Sequence, residues 1–192
     1  MNKPMIFALM ILLIAVAGAA LFHHLRGSAP GPLYHVRTEF EFTVHAPYSV
    51  AAQLFGAEKE RVWASDSWNP KFLHPQPPQD VEGAVFQVSH GHHHATWVNA
   101  AFDLDQGHVQ YVYFIPDTMV TRIDIHLARP QSGTADDGNT GSGTTKVRVT
   151  YERTALNAAA NEHVREFGEA DRSNGKTWGD DIERYLATQR QH

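Results

Sequence analysis

The most conspicuous chemical signal in the sequence is the run His90-Gly91-His92-His93-His94. Neutral imidazole binds zinc, copper and nickel. On a strand, His92 and His94 would share one face about 6.5 Å apart and could converge on an ion with a third ligand. No HExxH pattern accompanies them and no carboxylate is close in sequence. Metal handling through His92 and His94 is therefore an alternative beside the plainer reading of a solvated hairpin tip. His90 offers different chemistry. If Phe86 and Val88 face inward, strand parity sends His90 the same way, where it could serve as acid–base in a cyclase- or hydratase-type reaction. A lone histidine without an orienting partner is more often inert, so no catalytic residue is firm. Aromatic side chains are the stronger candidates for ligand contact. Trp63, Trp68, Phe86, Trp97, Tyr111, Tyr113, Phe167 and Trp178, with His90, are expected to border a cavity. Their Tyr hydroxyls and Trp N–H groups could orient a ligand's polar end, although core packing alone explains many of these rings.

Several chemistries are excluded. The chain has no cysteine, which removes disulfides, thiolate nucleophiles and Cys-based metal centres. No Gly-x-Ser-x-Gly elbow occurs. Gly138, Gly141 and Gly143 are not followed by Gly-Lys-Ser/Thr, so they form no phosphate loop. Asp103-Leu104-Asp105-Gln106-Gly107 lacks the later calcium ligands and reads as a hairpin turn. A net charge of −5 is not the footprint of a nucleic-acid binder. No cofactor is called for.

The elements that must position these residues follow from periodicity. Val36, Thr38, Phe40, Phe42 and Val44 alternate with Arg37, Glu39, Glu41, Thr43 and His45, the pattern of a half-buried strand. Pro47 suits a helix start, with Val50 and Leu54 inward and Gly56 as the stop. A second short helix is expected over 58–64, with Val62 and Trp63 inward. The Pro-rich stretch through Pro78 reads as a loop. Strand-like runs follow at 84–90, 95–103, 108–115 and 119–128, then a Gly/Ser/Thr/Asp excursion over 131–144, then a strand over 145–153. In 108–115 both faces are apolar, which leaves open which tyrosine points inward. Asn157 can cap a terminal helix carrying Val164, Phe167, Trp178, Ile182, Tyr185 and Leu186 at helical spacing. One long helix is expected, with its glycines leaving room for a bend near Asp171 to Gly175, and Glu162, Arg165, Glu166, Glu169, Asp171 and Arg172 should form its solvated face.

The order is α+β: a curved antiparallel sheet of about six or seven strands wrapped around a long C-terminal helix, with two short helices after the first strand. Such a grip rarely fills completely, so a cavity between helix and sheet is expected to take an apolar ligand.

Ahead of this domain, Met5 to Phe22 carry no charge and as a helix would span about 27 Å. Ala17-Gly18-Ala19 also fits a cleavage site. The expectation is residues 1–32 as anchor or signal plus linker, and 33–192 as the ligand-binding domain. That domain would sit outside the cytoplasm, tethered through residues 5–22 or released after cleavage. All thirteen histidines lie beyond residue 22, so mild acid would reduce the domain's negative charge and favour contact with anionic lipid.

The chain also resembles the START-like helix-grip superfamily, often labelled SRPBCC, over roughly residues 36–188. The likeness is carried by Phe42-Thr43-Val44-His45-Ala46-Pro47, Trp68-Asn69-Pro70, Gly83-Ala84-Val85-Phe86 and Val149-Thr150-Tyr151-Glu152-Arg153-Thr154-Ala155-Leu156, in that order. Ser89-His90-Gly91 followed by Trp97 resembles a bacterial branch of it. The resemblance implies a hydrophobic cavity and a hydrophobic or lipid-like small-molecule partner. It implies no catalytic set, because activities differ by branch. Binding without catalysis is the leading expectation.

Overall fold

The computed structural model describes residues 31–90, 93–128 and 143–191. Seven strands form one antiparallel sheet: β1 (His35–Val44), β2 (Lys71–His74), β3 (Val85–His90), β4 (His93–Asp103), β5 (His108–Ile115), β6 (Met119–Leu127) and β7 (Thr145–Ala155). Their order is β1-β7-β6-β5-β4-β3-β2, so the first strand pairs with the last and the rest form a meander. Helix α1 (Tyr48–Ala51) and two 3-10 turns (Ala52–Leu54 and Lys59–Val62) separate β1 from β2. Helix α2 (Asn161–Gln189) has 29 residues, about 43 Å of helix. Among the described residues no helix is long and apolar enough to cross a membrane. Residues 5–22, His92 and most of the 131–144 excursion lie outside the described residues.

Parity builds the core as expected. In β1, Thr38 and Val44 are buried and Val36, Phe40 and Phe42 half-buried, while their odd-numbered neighbours face solvent. In β5 both tyrosines share the inward parity with Val109 and Ile115, which resolves the ambiguity of that strand. Asn157 caps the 3-10 turn Ala158–Ala160 that leads into α2, its Oδ1 accepting from the Ala160 N–H at 3.0 Å, and α2 itself starts without a side-chain cap. Four expectations change. Strand β2 stands where a loop was expected. Only Phe72 of its four residues is buried, and prolines flank it, so it carries no periodic signal; an edge position tolerates both features. The segment 58–64 is a 3-10 turn, and Val62 is exposed while Trp63 is buried. Val50 is also exposed, because α1 has one turn and turns Tyr48 and Ala51 to the core, while Leu54 reaches it from the following 3-10 turn.

The fourth change concerns α2, which is one long unbroken helix as expected but buries Asp171, placed by expectation on its solvated face. Its glycines are contact points. A Cβ at Gly168 would lie 2.9 Å from Val36 Cγ1, and one at Gly175 would lie 2.8 Å from Phe40 Cδ2. Each glycine costs about 1 kcal/mol of helix propensity, and the close approach of α2 to β1 offsets it. Asp171 belongs to this buried stripe, not to the solvated face. It receives Arg153 Nε at 2.7 Å and Nη2 at 2.6 Å, and Thr38 Oγ1 at 3.2 Å. Arg153 Nη1 also donates to Thr121 Oγ1 at 3.0 Å and to the Tyr113 hydroxyl. This buried network fastens α2 across β1, β6 and β7.

Candidate ligand cavity

Between α2, the 3-10 turn and the inner face of the sheet lies a cavity of about 210 Å³. Its rim is polar and exposed, formed by Ser65, Ser67 and Thr177 with half-buried Asp181. Its interior is Trp63, Trp68, Trp97, Trp178, Tyr111, Tyr151 and Ile123, with Glu60 among them. The chain has four tryptophans, and all four line this one space. Trp178 stands edge-on to Trp63 at 5.7 Å, and Trp68 edge-on to Trp97 at 5.3 Å. Edge-to-face contacts at these separations hold the rings in fixed orientations. The Trp63 and Trp68 N–H groups donate to the backbone carbonyls of Leu54 and Ala57. The Trp97 N–H is buried without a partner among the described residues.

Of the nine residues expected to contact ligand, Trp63, Trp68, Trp97, Tyr111 and Trp178 come together here. Phe86 does not; it is fully buried behind Trp97, stacked at 5.8 Å on that ring and at 5.3 Å on Phe72. Tyr113 and Phe167 belong instead to the Arg153 network, with the guanidinium 5.8 Å from the first ring's centroid and 5.1 Å from the second's. His90 ends β3 opposite His93, and its side chain lies outside the described residues. His94 is exposed and shares a hydrogen bond with Ser89 Oγ at 2.9 Å. A different group of metal-competent side chains, His108, Asp124 and His126, lies on the outer face of the sheet with ligand atoms within 4.8 Å of one another. There His108 Nε2 lies 2.7 Å from Asp124 Oδ1, and Gln110 Nε2 donates to the same oxygen at 3.3 Å.

Sequence reasoning missed Glu60. It is 4% exposed, and its Oε1 accepts from the Tyr111 hydroxyl at 2.7 Å and the Gly56 N–H at 3.3 Å. Burial pushes its carboxyl up to about 8, against the opposing hydrogen bonds from Tyr111 and Gly56, with Asp80 adding a little. Tyr111 is pushed well above its ordinary value by the same burial and by Glu60. The signal was geometric. In a 3-10 turn residues three apart eclipse, and the Trp63 N–H bonds Glu60 O at 3.1 Å, which turns Glu60 and Trp63 to the same side. A neighbouring hollow of about 350 Å³ is lined by Gln53, Glu58, Lys59, Gln79 and Asp80, among others. Its two carboxylates are already committed: Asp80 accepts from the Glu58 and Lys59 N–H groups at 2.9 and 3.1 Å, and Glu58 accepts from Arg61 Nε at 2.8 Å.

A seven-stranded curved antiparallel sheet gripping a long C-terminal helix, with short helical turns after the first strand, is the helix-grip fold. No protein-family model matches the sequence, and no curated protein is recognisably similar to it. Solved structures are similar in fold. Norcoclaurine synthase from Thalictrum flavum, in complex with dopamine and hydroxybenzaldehyde, superposes with a TM-score of 0.56 at 9% identity, covering 81% of this chain and 88% of that one. An uncharacterized protein from Rhizobium leguminosarum gives 0.53 at 13% identity, covering 82% and 97%. Ara h 8.0201 gives 0.50 at 13% identity, covering 81% and 99%. At such identities the likeness establishes the fold and nothing finer.

Proposed function

We propose that the domain binds a small, largely apolar molecule of about one aromatic ring in the tryptophan-lined cavity. The observation that carries this reading is the convergence of all four tryptophans on one space with an exposed polar rim. Size narrows the ligand. A cavity of about 150 Å³ accommodates benzene, whereas drug-sized ligands occupy roughly 300–1,000 Å³. A volume of about 210 Å³ therefore suits a single substituted ring better than a lipid chain. Apolar burial would supply the affinity at about 25 cal/mol per Å² before ordering costs. Norcoclaurine synthase, similar in fold and solved in complex with dopamine and hydroxybenzaldehyde, supports the reading of a ligand-holding scaffold without specifying the ligand here. The N-terminal run enters this reading as a tether or a cleaved export signal that puts the domain outside the cytoplasm; sequencing the mature N-terminus distinguishes the two.

Tryptophan fluorescence of the full chain in detergent tests the binding. Titration with 4-ethylphenol and indole should give saturable quenching, and Trp97→Ala should weaken it at least tenfold. A panel of single-ring compounds that leaves the emission unchanged would sink the proposal.

The Glu60–Tyr111 pair favours a second reading, an enzyme. A carboxyl that titrates at about 8 is poised for proton transfer near neutrality, so acid–base chemistry would fall to Glu60 and not to His90.

A further inference from the structure

The cavity carries an asymmetry of charge. Two carboxylates line it, Glu60 and Asp181, and no Lys, Arg or His does. Asp181 already has a counter-ion, accepting from Arg184 Nη1 at 2.6 Å. Arg153, the buried cation of the core, is committed to Asp171. Glu60 has no cationic partner among the described residues. Both of its hydrogen bonds fall on Oε1, leaving Oε2 free to accept. A buried carboxyl without a cation is costly, and here it is held at fixed orientation among tryptophan and tyrosine rings, whose faces attract cations. We infer that the cavity selects a ring-bearing amine in its ammonium form, the ammonium set between Glu60 Oε2 and the aromatic faces, and that it rejects carboxylate ligands. This inference rests on the binding role proposed above.

The groups that share a wall with Glu60 are Tyr111 from β5, Tyr151 from β7 and Asp181 from α2, with Asp80 behind Gly56. None is a cation, so nothing on the protein competes with the ligand's charge. An anion entering the same space would meet Glu60 and Asp181 with no cation to compensate, only neutral donors such as the Trp97 N–H and the rim hydroxyls of Ser65, Ser67 and Thr177.

The test uses the full chain in detergent at pH 8.5 and three probes of matched size: 2-phenylethylamine, 2-phenylethanol and phenylacetate. The amine should bind at least tenfold more tightly than the alcohol, and phenylacetate should not bind measurably. Glu60→Gln should remove the amine's advantage over the alcohol. Equal binding of amine and alcohol, or a preference for the amine that survives Glu60→Gln, overturns the charge selection and leaves the binding role standing. Failure of all three probes overturns both together. The wild-type ranking decides the matter should Glu60→Gln not fold.

Discussion

Glu60 couples the cavity to the stability of the fold through its proton. Its carboxyl titrates at about 8 when folded, against 4.5 as a free side chain, chiefly because burial penalises the charge. Below pH 4.5 both states hold the proton and the native state keeps its full advantage. As pH rises towards 8 the unfolded chain ionises first, so this contribution is lost progressively across that window. The loss is on the order of 5 kcal/mol once both states are ionised. Glu60→Gln keeps the shape of the protonated acid and removes the titration. Between pH 5 and pH 9 the wild type should lose on the order of 10 °C more in Tm than the variant. Parallel melting curves would show that Glu60 is not buried as described. The residue itself was hidden from sequence reading, because an acidic side chain in a short turn reads as solvated unless the turn's period is known.

At the scale of elements, the glycines of α2 make opposite predictions at neighbouring turns. A Cβ at Gly175 would press on Phe40 at 2.8 and 3.1 Å, against a ring already packed by Phe42, Tyr151 and Trp178. A Cβ at Gly179 would meet Phe42 at an ordinary 3.6 Å. Both substitutions gain about 1 kcal/mol of helix propensity. Overpacking costs about 1–3 kcal/mol, and only Gly175 incurs it. Urea unfolding should therefore rank Gly179→Ala above wild type by up to about 1 kcal/mol and Gly175→Ala below it by about 1 kcal/mol. The reverse ranking would mean that α2 does not lie this close to β1. The strands with clean alternation and the long terminal helix were readable because their periods survive in one dimension. Strand β2 has four residues and one inward side chain, too few for any period to register.

For the molecule as a whole, the Arg153–Asp171 pair joins sheet to helix behind the cavity. Removing one partner strands the other as a buried charge, which costs about 3–5 kcal/mol. Asp171→Ala should lower the unfolding free energy by that amount, and Arg153→Met/Asp171→Leu should recover most of it, since an apolar pair avoids desolvation. A loss below about 1 kcal/mol for Asp171→Ala would show that the network does not hold the grip closed. Both residues sit where a combined pattern could have found them. Arg153 continues the inward parity of Val147, Val149 and Tyr151, and Asp171 falls between Gly168 and Gly175 on one helical stripe.

What the order of residues determined unaided was local. Alternation specified the inward faces of β1 and β7, helical spacing specified α2, and the α+β succession implied a sheet closed by that helix, because apolar faces this long have to be covered. Tertiary structure alone decided which aromatics meet. Trp63 and Trp68 come from the stretch before β2, Trp97 from β4 and Trp178 from α2, and only the folded sheet and the turn after α1 bring them together around Glu60. Phe86, Tyr113 and Phe167, indistinguishable from them by type and parity, were assigned to packing and to the Arg153 network by contacts that no spacing along the chain encodes.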